Sequence, residues 1–355
     1  MEETEKRDLI SITPEWSIPQ LQEKIADAIT GDGPALSTAP TAYKNLSADT
    51  CLVVNTSGST GEPNSVAIST SALIASTNAA HKYLGAVPGD SWSLLLPTNH
   101  IAGLNVIARA TALGTKVIDN RNVAEYVDAD FISIVPTQLH RALTKDAKLL
   151  EHLTAAEAVL VGGGAITDSL KKAAADKHVK VVTTYGMTEM CGGCVYNQKP
   201  LDGVEIEIGS TGLIKLKAPM MASNYLNNPE LWQSLTADGW FQTSDIGEFT
   251  DGKLKVLGRA DDVINSGGEK ISLISIENLF NTHFPDQEVV AFGLPDAEWG
   301  EKLCLAVTTN LSLAQIQQKL IGVNSPKEIY IFKQIPKSVL GKVDRQAAIK
   351  LALGK

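Results

Sequence analysis

Cysteine is scarce in this chain, with four in 355 residues: Cys51, Cys191, Cys194 and Cys304. That is too few for a disulfide framework in a chain of this size. A basic surplus is also missing. Lysine and arginine total 31 against 40 acidic residues, a formal net charge of −9. This argues against a general nucleic-acid binder, which needs a basic face for phosphates, yet it is mild enough to allow one bound nucleotide. No apolar run approaches the roughly 20 residues of a membrane span. The opening MEETEKRDLI is too charged for a signal peptide, so the cytoplasm is the expected compartment. What remains is an ordinary globular composition, 44% apolar and 20% charged, and a length that suits two or three domains.

The richest stretch is residues 56–66, TSGSTGEPNSV. Apolar runs precede it (Cys51-Leu52-Val53-Val54) and follow it (Val66-Ala67-Ile68), a pattern of strand, glycine-hydroxyl loop and strand. Glycine lets the backbone turn tightly and approach a ligand. Exposed amides and short hydroxyls together cradle phosphate oxygens. By itself the stretch reads equally well as a Ser/Gly-rich surface loop. Its spacing does not fit G-x-x-x-x-G-K-[ST], so it is not the NTPase loop that opens onto a helix.

Downstream, strands are expected near residues 92–96, 116–118, 131–135, 158–161 and 179–182, with helical stretches at 69–84 and 101–113. Such alternation predicts a parallel sheet covered by helices on both faces, with ligands at the carboxyl ends of its strands. Four loops at such ends would hold the interesting residues. They are the hydroxyl loop, Pro97-Thr98-Asn99-His100, Gly162-Gly163-Gly164 and Thr183-Thr184-Tyr185-Gly186-Met187-Thr188-Glu189. The last offers an aromatic to stack on a base, a hydroxyl for phosphate and a carboxylate for Mg²⁺. The plainer reading of the same string is a strand end with a helix-capping pattern. Cys191-Gly192-Gly193-Cys194 would suit a redox pair or half a zinc site, but no second Cys/His pair lies at ligand spacing, and a tight glycine turn is the better account. Beyond residue 200 the texture becomes alternating and Asp/Gly-punctuated, and a small α+β domain is expected from about residue 259.

TSGSTGEP, TYGMTE, GWFQTSD, GRADDVIN followed by SGGEKIS, and PKSVLGKVDR resemble, in order, the core motifs of the adenylate-forming acyl-CoA synthetase superfamily across about residues 50–346. Each string alone is weak, and five in the right order are very specific. Within that superfamily LPTNHIAGLNVIARA, VPTQLHRAL and YGMTEMCGGCVYNQKPLDGV are similar to the short o-succinylbenzoate–CoA ligases of menaquinone synthesis. The resemblance implies an α/β adenylate-forming fold. A large N-terminal domain (1–258) with mixed and parallel sheets would bind ATP and the acyl group, and a small mobile α+β domain (259–355) would carry a catalytic lysine. It also implies two steps: adenylation of a carboxylate by ATP with Mg²⁺, then transfer to the thiol of coenzyme A. The partners would be small molecules, without nucleic acid or membrane insertion, and a homodimer is left open.

Residue by residue, the resemblance gives Thr56, Ser57, Gly58, Ser59, Thr60 and Gly61 the terminal phosphates, with Thr60 also near the metal. Gly163, Gly164, Tyr185 and Gly186 would hold adenine, and Thr188 the α-phosphate. Glu189 would bind Mg²⁺, while Asp245 and Arg259 would take the ribose. Lys342 resembles the lysine that bridges substrate carboxylate and α-phosphate. Asp261 matches the hinge, and Gly268 the passage of the pantetheine arm. His100 resembles the gate of the acyl pocket. Arg109, by charge and by motif resemblance, is the candidate for a second substrate carboxylate, its other reading being a surface arginine. Gly192 and Gly193 would leave room for a flat ring.

Two departures stand out. Where the phosphate loop commonly continues Pro-Lys-Gly, this chain has Pro63-Asn64-Ser65, so one cation is missing and ATP binding or turnover should be weaker without being abolished. The region before the loop is only about 50 residues, so the first subdomain of larger relatives must be mostly absent. Three other readings stay open: a ligase for another aryl or fatty acid, an enzyme that loads a carrier protein, and a nucleotide-binding relic.

Overall fold

The computed structural model describes residues 6–40, 43, 46–56, 63–285, 287–337 and 343–354; of Asp261 it describes the backbone alone. The chain forms two compact units. The first comprises residues 1–206, 215–242 and 251–254, and the second 207–214, 243–250 and 255–355.

The first unit is built on two sheets. The larger runs Lys199–Pro200, Gly192–Tyr196, Val181–Met187, Ala158–Val161, Phe131–Ile134, Trp92–Leu94, Ile118–Asp119. Its last five strands are parallel, and the first two are antiparallel additions at one edge. The parallel strands read as near-continuous apolar runs because both faces are covered. On one face Ile132, Ile134, Val159 and Val161 pack with Leu139, Leu149, Leu153 and Ala174 from the helices Pro136–Thr144, Ala147–Ala155 and Asp168–Asp176. The helix Ile101–Ala112 packs against Trp92–Leu94 and Gly192–Tyr196. Nearly all of its residues are buried, which is why it is apolar all round rather than along one stripe.

The second sheet runs Asn224–Tyr225, Ser65–Ser69, Thr50–Asn55, Ala35–Ser37, Leu9–Ser11. Thr70–Leu84 packs on strands of both sheets, and Ile18–Thr30 on the second. Ile18–Thr30 starts at a capping box between Ser17 and Gln20 and stops at Gly31, whose φ of 89° is left-handed. One expectation is corrected here. The hydroxyl loop does not follow a strand of the parallel sheet: it joins Thr50–Asn55 to Ser65–Ser69, an antiparallel pair in the other sheet. Parallel neighbours need a crossover of a dozen or more residues, and the segment between these two strands is too short for one.

The second unit carries a sheet with Glu269–Ser272, Val263–Ser266, Gly300–Val307 and Val289–Asp296 in that order, Glu328–Ile331 lying parallel to Gly300–Val307. Alternate residues face opposite ways. Val289, Ala291, Leu303 and Leu305 join Ile276 and Phe280 of the helix Leu273–His283. Val290, Phe292, Cys304 and Ala306 join Ala348 of the helix Arg345–Ala352. Among the described residues no helix is long and apolar enough to cross a membrane.

Candidate active site

Within the first unit, two sequence-expected stretches lie at the carboxyl ends of neighbouring parallel strands. Val161 is paired with Thr183, so the turn Gly162-Gly163-Gly164 leaves the sheet beside Thr184, while Tyr185, Gly186 and Met187 stay paired with Gly192–Tyr196 and Thr188 and Glu189 follow at the strand end. Gly163 adopts a φ of 76°, the left-handed region that favours glycine, and Gly164 lies on Pro136. A side chain at Gly162 would strike Thr184 Oγ1 at 2.1 Å. Next door, the pairing of Val181–Met187 with Gly192–Tyr196 slips between Tyr185 and Gly186. Such a bulge re-aims the residues that follow it. Thr188, Glu189 and Met190 then form a single 3₁₀ turn that ends at Cys191, a left-handed residue with φ 54°. The Cys191 carbonyl is held there by Asn105 Nδ2 at 2.8 Å and Ser76 Oγ at 3.1 Å.

Glu189 is fixed by backbone and side chain. Its carbonyl accepts from Ala222 N–H at 2.8 Å. Its Oε1 accepts from the phenol of Tyr225 at 2.6 Å. Burial and the adjacent carboxylate push the Tyr225 phenol up, so it stays protonated and donates. Among the described residues no cluster of three His, Cys, Asp or Glu side chains exists. A divalent ion would therefore have one protein carboxylate and draw its other oxygens from phosphate and water, the habit of Mg²⁺.

His100 is the N-cap residue of Ile101–Ala112. Nine residues on, Arg109 is 4% exposed and not a surface arginine. Its Nη2 donates to Tyr196 Oη at 3.1 Å, its guanidinium stacks 5.1 Å from the Trp92 ring, and its Nε has no hydrogen-bond partner. Among the described residues no carboxylate pairs with it. One turn earlier on the same helix, Asn105 Oδ1 is likewise buried without a partner. The space beside Gly192 is taken by Asn105, whose Nδ2 would lie 2.3 Å from an added Cβ, and that beside Gly193 by the Tyr196 ring at 2.8 Å. Cys191 and Cys194 are buried, and burial pushes the Cys194 thiol up to about 12, so neither thiol is reactive at neutral pH.

The same charge reaches His81. Burial first, then Arg109, lowers its pKa from 6.5 to about 4. The fold therefore holds the neutral imidazole. The stability it contributes is complete above the unfolded pKa near 6.5 and is lost as pH falls toward about 4. Burial also lowers His152, which adds in the same direction. We expect His81→Leu to remove on the order of 2 kcal/mol of the acid destabilisation between those limits, read by denaturant unfolding at a series of pH values.

At the hydroxyl loop, Thr56 is described, and its amide donates to Asn64 O at 2.9 Å while Asn64 N–H returns a bond to Thr56 Oγ1 at 3.1 Å. Ser57, Gly58, Ser59, Thr60 and Gly61 lie outside the described residues, and so does Lys342. In the second unit, Asp245 lies on the strand Trp240–Thr250, its amide bonded to Thr243 Oγ1 at 3.0 Å. Arg259 ends Lys253–Arg259 and caps the 3₁₀ turn Ala260–Asp262, which holds the backbone of Asp261. Gly267 and Gly268 make the two-residue turn between paired strands, with φ 61° and 84° and open space beside Gly268. Sequence reasoning missed Ser76, Asn105 and Tyr225. For Asn105 the spacing of four from Arg109 on one helix face was a usable signal; Ser76 and Tyr225 carried none.

The curated relative from Mycobacterium tuberculosis (strain H37Rv) called a probable 2-succinylbenzoate–CoA ligase is 34% identical over 374 aligned residues, covering 95% of each chain. The 2-succinylbenzoate–CoA ligase of Lactococcus lactis is 31% identical, covering 92% of this chain and 77% of its own. Among solved structures, ATP-bound MatB from Rhodopseudomonas palustris superposes with a TM-score of 0.79 at 19% identity, covering 99% of this chain and 90% of its own. The o-succinylbenzoate CoA synthetase from Bacillus subtilis with its acyl-adenylate intermediate gives 0.75 at 22%, covering 96% and 83%. At these identities the structures speak for the fold. The sequence model of the AMP-binding enzymes matches residues 3–221, more than half of the chain and all of the first unit's glycine-lined strand ends. This protein therefore belongs to the family of AMP-binding enzymes.

Proposed function

We propose that this chain is an o-succinylbenzoate–CoA ligase that forms o-succinylbenzoyl-CoA with release of AMP and pyrophosphate. Relatives of that name align with it over nearly its whole length. The observation in the structure that carries the substrate is Arg109, a buried guanidinium with no carboxylate partner among the described residues and with its Nε unpaired. An isolated buried cation is costly unless something pairs with it. o-Succinylbenzoate has two carboxylates, one to be activated and one to meet that charge.

In the first step a carboxylate oxygen attacks the α-phosphorus and the α–β bond breaks, with pyrophosphate leaving. The obstacle is repulsion between anions, met by donors and cations fixed where charge develops. Lys342 supplies the bridging cation, Thr188 touches the α-phosphate, and the loop from Thr56 to Gly61 holds the terminal phosphates. Glu189 holds Mg²⁺, which screens the triphosphate. Tyr185, Gly186, Gly163 and Gly164 enclose adenine, while Asp245 and Arg259 hold the ribose. In the second step the small domain, residues 259–355, turns about Asp261. Coenzyme A enters past Gly268, its sulfur attacks the acyl carbon, and AMP departs. His100 gates the acyl pocket. Such chemistry belongs in the cytoplasm.

Thioester formation from ATP, Mg²⁺ and coenzyme A across a panel of acids tests the substrate, with o-succinylbenzoate expected to stand alone. Turnover of a different acid would keep the mechanism and discard the substrate. For the lysine, Lys342→Ala should lower acid-dependent pyrophosphate exchange into ATP by about 10²–10³. It should leave thioester formation from ready-made acyl-adenylate within about threefold, since the lysine serves only the first step. Normal exchange in that variant would sink the assignment.

A further inference from the structure

One short segment of the first unit, Ala222 to Asn227, binds two places that the proposed mechanism uses together. Its first end holds Glu189. The Ala222 amide donates to the Glu189 carbonyl at 2.8 Å and the Tyr225 hydroxyl to Glu189 Oε1 at 2.6 Å. Tyr225 is itself 3% exposed, and its ring meets Trp232 edge-on at 5.0 Å, which leaves the phenol little freedom to swing away. The middle of the segment is a strand paired with the one that leaves the hydroxyl loop, Asn224 opposite Ala67 and Tyr225 opposite Val66. The far end clasps the loop's exit. Asn227 Oδ1 accepts from Ser65 N–H at 2.8 Å, and Asn227 Nδ2 donates to Pro63 O at 2.9 Å. Asn227 thus bonds the residues on both sides of Asn64, while Asn64 is bonded to Thr56 on the loop's entry side.

We propose that Tyr225 and Asn227 are positioning residues that fix the Glu189 carboxylate and the base of the hydroxyl loop at one separation, so that a divalent cation and the triphosphate it accompanies are received without rearrangement. The proposal rests on the reading of Glu189 as the Mg²⁺ carboxylate. A phenol on Oε1 restricts the rotation of that carboxylate. Groups that orient a metal ligand in this way typically change metal affinity or activity by about 10–100-fold when removed. At the loop, both Asn227 bonds go to backbone, so its side chain sets where the strand ends and the loop begins. In this chain no lysine follows Pro63, and the exit has this clasp at that point.

The test uses the full chain and ATP titrated by calorimetry, with Mg²⁺ and in its absence. Tyr225→Phe removes one oxygen and keeps the ring on Trp232. It should erase the gain in ATP affinity that Mg²⁺ gives by about 10–100-fold and leave metal-free binding within about threefold. Asn227→Ala, at an exposed position, should weaken ATP binding with and without metal. Glu189→Gln is the reference, and adding Tyr225→Phe to it should cost nothing further, because the two act through one contact. If Glu189→Gln keeps the full Mg²⁺ gain, the metal reading fails. If Glu189→Gln loses that gain while Tyr225→Phe keeps it, or the two effects add, the metal reading stands and the positioning role is overturned. Asn227→Ala with unchanged ATP affinity would overturn the loop half.

Discussion

Alanine at Gly186 is expected to destabilise the first unit by about 3 kcal/mol or more and to abolish adenylation. A Cβ there would sit 1.9 Å from the Gly192 carbonyl oxygen and 2.6 Å from Gly193 Cα. Both are backbone atoms of the strand paired opposite, so no side chain can swing aside to relieve the overlap. Nor can that strand retreat. The Cys191 carbonyl just before it is bonded by Asn105 and Ser76, and Val195 is paired with Tyr185. The register would have to open at the bulge that aims Thr188 and Glu189. Gly114→Ala is the control. Unlike Gly186 it has a positive φ, 72°, and nothing lies within 4 Å of its added methyl, so it reports backbone strain alone, about 1 kcal/mol. Thermal unfolding and pyrophosphate exchange on both variants decide the matter. A Gly186→Ala protein that melts with the wild type would show that the strands separate easily.

Arg345→Met is expected to cost the second unit about 3–5 kcal/mol at neutral pH. The guanidinium joins three elements with one planar fork. Nη1 reaches Asp262 at 2.5 Å, Nη2 reaches Glu277 at 2.7 Å, and Nε donates to the Ala291 carbonyl at 2.7 Å. Glu277 completes the circle by accepting from the Ala291 amide at 2.9 Å. Burial already pushes the Glu277 carboxyl above its ordinary value, with Arg345 opposing the shift. Without the arginine, two partly buried carboxylates face each other and the Glu277 pKa rises further. An acid whose folded pKa is raised is penalised above that pKa and relieved below it. The deficit should therefore narrow as pH falls toward the unfolded value near 4.3. Arg345→Met with Glu277→Gln should recover part of the loss at neutral pH. Hydrogen exchange at the Ala291 amide is the direct measurement. Equal protection in wild type and Arg345→Met would mean the fork holds nothing together.

Much of this protein was legible in the chain itself. Short apolar runs bounded by glycine and serine marked the strands at residues 51–54 and 66–68, and helical stretches were marked at 69–84 and 101–113. Such signals are local: a period of two or 3.6 and a cap involve residues within a turn of one another. The order of five motifs is also a property of the chain alone, and the family follows from it. What the sequence could not reveal is which distant residues complete each site. Arg109 was readable as a surface arginine because its burial comes from Trp92 and Tyr196, the latter 87 positions away. The donor to Glu189 is 36 positions along, the clasp on Ser65 is 162, and the partner of Asp262 is 83. None of these pairs leaves a periodic trace, because each is made only when separate elements pack. The hydroxyl loop showed the same limit. Its strands were plain, but their membership in a second, antiparallel sheet depends on which neighbours they find. Local propensity and motif order thus determined the elements and the chemistry class. Close packing of elements far apart in the chain decided which side chains are held and which are buried.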